Sequence, residues 1–98
     1  MADEAEAALV QVIENYAGIE GRVVEARDAA EVAGHGVLVV QVDRVNPVDG
    51  YPNLLVQAQG QRLEVLVRKE RLGAYAVGQP VQLRVRRASP SAVFAADD

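Results

Sequence analysis

The feature that most constrains this chain is a strict alternation of apolar and polar residues. In Val81-Gln82-Leu83-Arg84-Val85-Arg86 every second side chain is apolar, which places Val81, Leu83 and Val85 on one face of a β-strand and Gln82, Arg84 and Arg86 on the other. A helix, repeating every 3.6 residues, would scatter the same side chains around its axis. Residues 62–68 repeat the pattern, with Leu63, Val65 and Val67 pointing one way, and residues 54–59 alternate as well. Residues 37–45 form the strongest strand. Leu38, Val40 and Val42 share one face while Val37 and Val39 fall on the other, so part of that strand is expected to be covered on both sides. Two shorter strands are expected at residues 22–26 and 91–96, the last anchored in the core by Phe94.

The segments between these runs carry turn chemistry. Residues 27–36 are polar or small and read as a loop, and residues 46–53 combine Pro47 and Pro52 with Asp49-Gly50. Gly60-Gln61 separates residues 54–59 from 62–68 by the two positions of a tight hairpin. Residues 69–78 lose the alternation and hold a single helical turn around Arg71-Leu72-Gly73; Ser89-Pro90 interrupts the strand that began at Val81. Half of the residues are hydrophobic and 4% aromatic, and much of the apolar mass is valine, whose branched Cβ favours pleated strands. The expected fold is therefore mainly β: a small OB-like barrel of five to six strands in a single domain.

One segment breaks the rule. Ala5, Ala8, Leu9, Val12, Ile13 and Tyr16 lie at the i, i+3, i+4 spacing of a helical stripe, Asp3 can cap its start, and Gly18 sits where a helix would end. Residues 1–18 are thus expected as an N-terminal amphipathic α-helix and residues 19–98 as the barrel. The stripe can bury against the sheet or against the same helix of a second copy, and the spacing leaves both open.

Composition excludes several functions. There is no cysteine, so neither a disulfide framework nor a thiolate metal site can form. The first residues are acidic where a signal peptide is basic, and no apolar run approaches the roughly 18 residues of a spanning helix, so a cytoplasmic protein without membrane insertion is expected. His35, between Gly34 and Gly36, is expected as a solvated loop residue and has no second histidine with which to hold zinc. Ser89 and Ser91 flank a proline, threonine is absent, and the one lysine, Lys69, follows no glycine-rich run. The chain is read as no enzyme by itself, with no cofactor.

Charge is distributed unevenly. Residues 1–50 carry ten acids against three arginines, a net −7, whereas residues 51–98 carry seven basic residues against four acids, a net +3. Arg62 and Arg68 on one strand and Arg84 and Arg86 on another can form a basic patch outside the barrel, where forked guanidinium donors match an oxyanion or a phosphate. The turn glycines Gly60 and Gly78 can bring backbone N–H groups close to such a ligand. The runner-up is a single-stranded nucleic-acid binder that uses the same arginines and Arg87, with Tyr51 and Tyr75 as stacking surfaces. A third reading is a protein-interaction adaptor whose N-terminal helix docks on a partner.

The second half also carries a family likeness. Residues 60–68 (Gly-Gln-Arg-Leu-Glu-Val-Leu-Val-Arg), residues 77–88 (Val-Gly-Gln-Pro-Val-Gln-Leu-Arg-Val-Arg-Arg-Ala) and Ser91-Ala92-Val93-Phe94 resemble the TOBE domain. That domain is an OB-like barrel of the ATPase subunits of molybdate-type ABC importers and of the molbindins, and the likeness covers residues 36–96. It implies a small oxyanion as ligand and sites between barrels, hence a homo-oligomer. Pro90 departs from the family, whose last strand runs on unbroken, and the N-terminal helix is not part of the family's barrel.

Overall fold

A computed structural model of the chain describes residues 14–29, 32–90 and 92–96. Five strands, β1 (Ala17–Asp28), β2 (His35–Pro47), β3 (Arg62–Arg68), β4 (Pro80–Ser89) and β5 (Ala92–Ala95), close into a barrel in the order β1-β2-β3-β5-β4. Neighbours are antiparallel except β3 and β5, which run parallel at Leu66 and Phe94. A 3-10 turn (Val56–Ala58) lies between β2 and β3, and one helical turn, α1 (Lys69–Leu72), between β3 and β4.

Closure depends on β1, which is hydrogen-bonded along both edges. It pairs with β2 from Ala17 opposite Pro47 to Asp28 opposite Gly36, and its first half pairs with β4 from Ala17 opposite Val85 to Arg22 opposite Pro80. A strand shared between two directions must bend, and register shifts at Glu20/Gly21 and Val23/Glu25 supply the bend. Gly21 lies so close to β2 that a Cβ there would overlap the carbonyl of Gln41. The strand expected over residues 22–26 is therefore twelve residues long; Gly18 and Gly21, which weaken strand propensity, hid its first half.

The alternating apolar positions fill the interior. Ile19 and Val23 from β1, Leu38, Val40 and Val42 from β2, Val65 and Val67 from β3, Leu83 and Val85 from β4 and Val93 from β5 form one buried cluster. Each such side chain stabilises the fold by roughly 1.5–3 kcal/mol relative to its exposed state. Leu72 of α1 packs over Gly36, where a Cβ would meet Leu72 Cδ2 at 2.6 Å, and Lys69 N–H donates to Gly34 O at 2.9 Å, so the helical turn covers one end of the barrel.

Part of β2, around residues 37–40, is covered on both faces, as expected. Val37 and Val39 are 8% and 7% exposed yet lie outside the core cluster, on the outer side of the strand. Arg27 on β1 reaches across this face to Glu64 on β3 at 3.1 Å and also bonds Glu25 at 3.1 Å. The hydrogen bonds that Arg27 donates to Glu64 and then to Glu25 raise its pKa above the ordinary value.

Three expectations need correction. Residues 54–59 form no strand, and the hairpin at Gly60-Gln61 does not exist; β3 pairs with β2 instead. Asn53 Oδ1 accepts the Leu55 N–H at 3.0 Å, a local turn that drives Leu55 alone into the core, while Val56 is 62% exposed. Phe94 is not the core anchor of the last strand, because Val93 takes the inward position and sends Phe94 outward. The N-terminal helix falls on residues 1–13, outside the described residues, but its expected last turn is not helical: residues 14–16 are irregular and Ala17 and Gly18 open β1.

A core plug and a strand respond differently to truncation. Leu55→Ala is expected to cost about 2–5 kcal/mol and Val56→Ala less than about 0.5 kcal/mol, measured by urea unfolding. A larger loss at Val56 than at Leu55 would instead support a strand with Leu54, Val56 and Ala58 facing the core.

Candidate functional site

The arginines singled out by their spacing do not converge as a set. Arg62 and Arg68 stand on the same outer face of β3 but at opposite ends, six residues or about 20 Å apart. Arg84 lines a depression of about 460 Å³ with Gly18, Pro47, Val48, Gln82 and Leu83. Arg68 and Arg86, distant in sequence, are brought together with Tyr16, His35, Phe94, Ala95 and Ala96 around a second depression of about 320 Å³.

Strand register explains that meeting. Phe94 on β5 is flanked by Leu66 on β3 and by Arg86 on β4, so the three outward side chains form a row across the barrel. Arg68 is two residues beyond Leu66 and directly opposite His35 of β2. The Arg86 guanidinium lies 5.2 Å from the centre of the Phe94 ring, a cation–π contact. The His35 ring meets the same phenyl edge-on, with centroids 5.4 Å apart and planes at 87°. Arg68 also has Glu70 Oε2 at 3.7 Å.

His35 is thus not a solvated loop residue. It opens β2, is half-buried, and has Nδ1 3.0 Å from Ala33 O. The missed members of the site are Tyr16, His35 and Phe94. Strict parity along β5, with Val93 assigned inward, would have turned Phe94 outward.

Tyr16 is held at the rim by its neighbour. Asn15 is 3% exposed, donates Nδ2–H to Arg87 O at 2.9 Å and accepts the Arg87 N–H at Oδ1 at 2.9 Å. The amide side chain imitates a strand partner and fixes the chain where it enters β1. Tyr16 then meets Tyr51 edge-on, with centroids 4.6 Å apart.

The remaining predicted site residues have structural roles. Gly60 N–H donates to Val42 O and Gly78 N–H to Val23 O, both at 2.8 Å, so neither donor is presented to a ligand. Arg87 donates to Pro90 O at 2.7 Å, across the β4–β5 connection. Tyr75 is half-buried against the core cluster, whereas Tyr51 is 40% exposed.

Another depression, of about 540 Å³, lies elsewhere, among Glu20, Gly21, Arg22, Asp43, Arg44, Pro80, Val81 and Gln82. Its charges are mixed and partly engaged: Asn46 donates to Glu20 at 2.7 Å, and Arg22 donates to Gly78 O at 2.7 Å. Among the described residues no cluster of three or more His, Asp or Glu could hold a metal ion, and no helix is long and apolar enough to cross a membrane. Comparison of the chain with protein families, with curated proteins and with solved structures finds no match.

The clamp and the cationic rim should separate in stability measurements. Asn15→Leu leaves the Arg87 N–H and C=O unpaired and is expected to cost roughly 1–3 kcal/mol or more, whereas Arg86→Gln at the exposed rim should stay within about 0.5 kcal/mol of the unaltered protein. Chemical denaturation measures both, and a rim variant as destabilised as the clamp variant would make Arg86 a structural residue.

Proposed function

We propose that this chain is a non-catalytic OB-like module that binds an anionic ligand through an oxyanion group placed between Arg68 and Arg86. The observation that carries this reading is the convergence of those two guanidiniums, from strands far apart in sequence, on one depression. Five strands in Greek-key order with a short helix between β3 and β4 fit an OB-like barrel. The depression adjoins His35, where the β1–β2 connection enters β2, and that connection is one of the loops through which OB-like barrels take ligands.

Two cations lining one shallow depression repel each other, and an anion between them relieves that repulsion. The forked donors of arginine suit a tetrahedral oxyanion better than a lysine ammonium would. The TOBE-like reading keeps the same ligand class and adds assembly: in a homo-oligomer a second barrel would bring further donors to the open side. The turn glycines drop out of the ligand set, because their N–H groups serve the barrel.

Melting temperatures with molybdate, tungstate, sulfate, phosphate and tripolyphosphate test the proposal. An anion at 100 times its dissociation constant adds about 2.7 kcal/mol, on the order of 10 °C in a domain of this size. We expect at least one anion to raise the melting temperature, and Arg68→Gln and Arg86→Gln each to reduce the rise. No shift with any of the five, at concentrations to 10 mM, would overturn the reading.

A further inference from the structure

We propose, resting on the anion site just described, that its ligand is single-stranded nucleic acid: a backbone phosphate lies between Arg68 and Arg86, and an adjoining base stacks at Tyr16 and the Arg86–Phe94 pair. Two observations favour this over a compact oxyanion. The first is the lining itself. A compact anion needs only donors, yet this depression interleaves its two arginines with three rings, Tyr16, His35 and Phe94. Rings beside guanidiniums suit a ligand that carries its own planar apolar surface next to its charge, because bases stack on aromatic faces and on guanidinium planes.

The second observation is the extent of the positive charge. Lys69 and Arg71 follow Arg68 in α1 and are exposed, with Glu70 the one acid among them. On the other side Arg84 precedes Arg86 by two positions on the same outward face of β4, about 7 Å along the strand. Arg84 and Lys69 form no ion pair among the described residues. The cations thus run from α1 past β3 and β5 to β4, a track that matches an extended polyanion.

Single strands are favoured over duplex because the rings are half-buried on a shallow surface and can reach only bases whose faces are open. The net charge of −4 is mostly carried by acids in residues 1–50, whose field is screened beyond about 10 Å at 0.1 M salt, but one of them, Glu14, stands at the site and accepts from the Tyr16 hydroxyl at 3.5 Å. This predicts modest affinity. With Arg68, Arg86, Arg84 and Lys69 as the phosphate contacts, the logarithm of the binding constant should fall with the logarithm of salt with a slope of about −3.

Fluorescence anisotropy of the full 98-residue chain with a labelled 15-nucleotide oligo-dT, the duplex of the same length and tripolyphosphate as competitor tests the inference. We expect the single strand to bind at least fivefold more tightly than the duplex and with the stated salt dependence. Arg86→Gln should weaken binding and reduce the slope by about 0.7. Tyr16→Ala should weaken oligo-dT about fivefold or more without changing competition by tripolyphosphate, and Tyr16→Phe should restore oligo-dT binding; circular dichroism checks that each variant folds. Duplex binding as tight as single-strand binding would overturn the inference. So would oligo-dT binding indifferent to Tyr16→Ala, which leaves the oxyanion site standing alone. Failure of oligo-dT and tripolyphosphate alike to bind would remove both the inference and the anion site on which it rests.

Discussion

The close approach of β1 to β2 at Gly21 is the constraint from which the rest of the barrel follows. β1 can hydrogen-bond to β2 on one edge and to β4 on the other only if it bends, and it bends where the backbone comes too near Gln41 for any side chain. Once β4 lies along the first half of β1, its continuation passes beyond the start of β1 and meets β5. β5 in turn touches β3 at a single register pair, Leu66 with Phe94. That one parallel contact closes the ring and puts Phe94 between two arginine-bearing strands. The bend and the candidate site therefore belong to one geometric solution.

Electrostatics on this scaffold are local. The chain as a whole is acidic, yet two carboxylates of the first half are occupied away from the site, Glu25 by Arg27 and Glu20 by Asn46, while Glu14 stands at its rim and accepts from the Tyr16 hydroxyl at 3.5 Å. Within the cationic cluster, Glu70 lies 3.7 Å from Arg68. An exposed pair of that length is weak and salt-sensitive, so it competes poorly with an oxyanion that both arginines can reach. Asn15 contributes rigidity rather than charge, because its two bonds to Arg87 fix the chain entering β1 and with it the Tyr16 ring.

Much of the fold was legible in the sequence. The inward sets of β2, β3 and β4 followed from period-two alternation, as did the double covering at Val37 and Val39, because burial of alternate residues leaves a pattern that composition cannot mimic. What failed were places where a single residue overrides a pattern. Leu54 to Gln59 alternates well enough to read as a strand, but the Asn53 turn commits only Leu55 to the core. The Gly18 and Gly21 positions read as breaks, although both lie within β1 and Gly21 permits the close approach to Gln41. In β5 one bulky aromatic outweighed parity, so Phe94 was placed inside and Val93 overlooked. The basic residues of the candidate site were visible as types, but the selection of Arg68 and Arg86 from among them depended on the β3–β5–β4 register, which no local pattern encodes. His35 was hidden for the same reason, since flanking glycines suggest a loop and only its pairing with Arg68 makes it a strand residue.

The most direct test of the central claim is a titration of uniformly ¹⁵N-labelled protein with phosphate, read residue by residue in the amide spectrum. The account predicts saturable shifts concentrated at His35, Arg68, Arg86 and Phe94, with Gly60, Gly78 and the Glu20–Arg44 depression unchanged. Shifts centred on those latter positions, or a uniform drift without saturation, would contradict it.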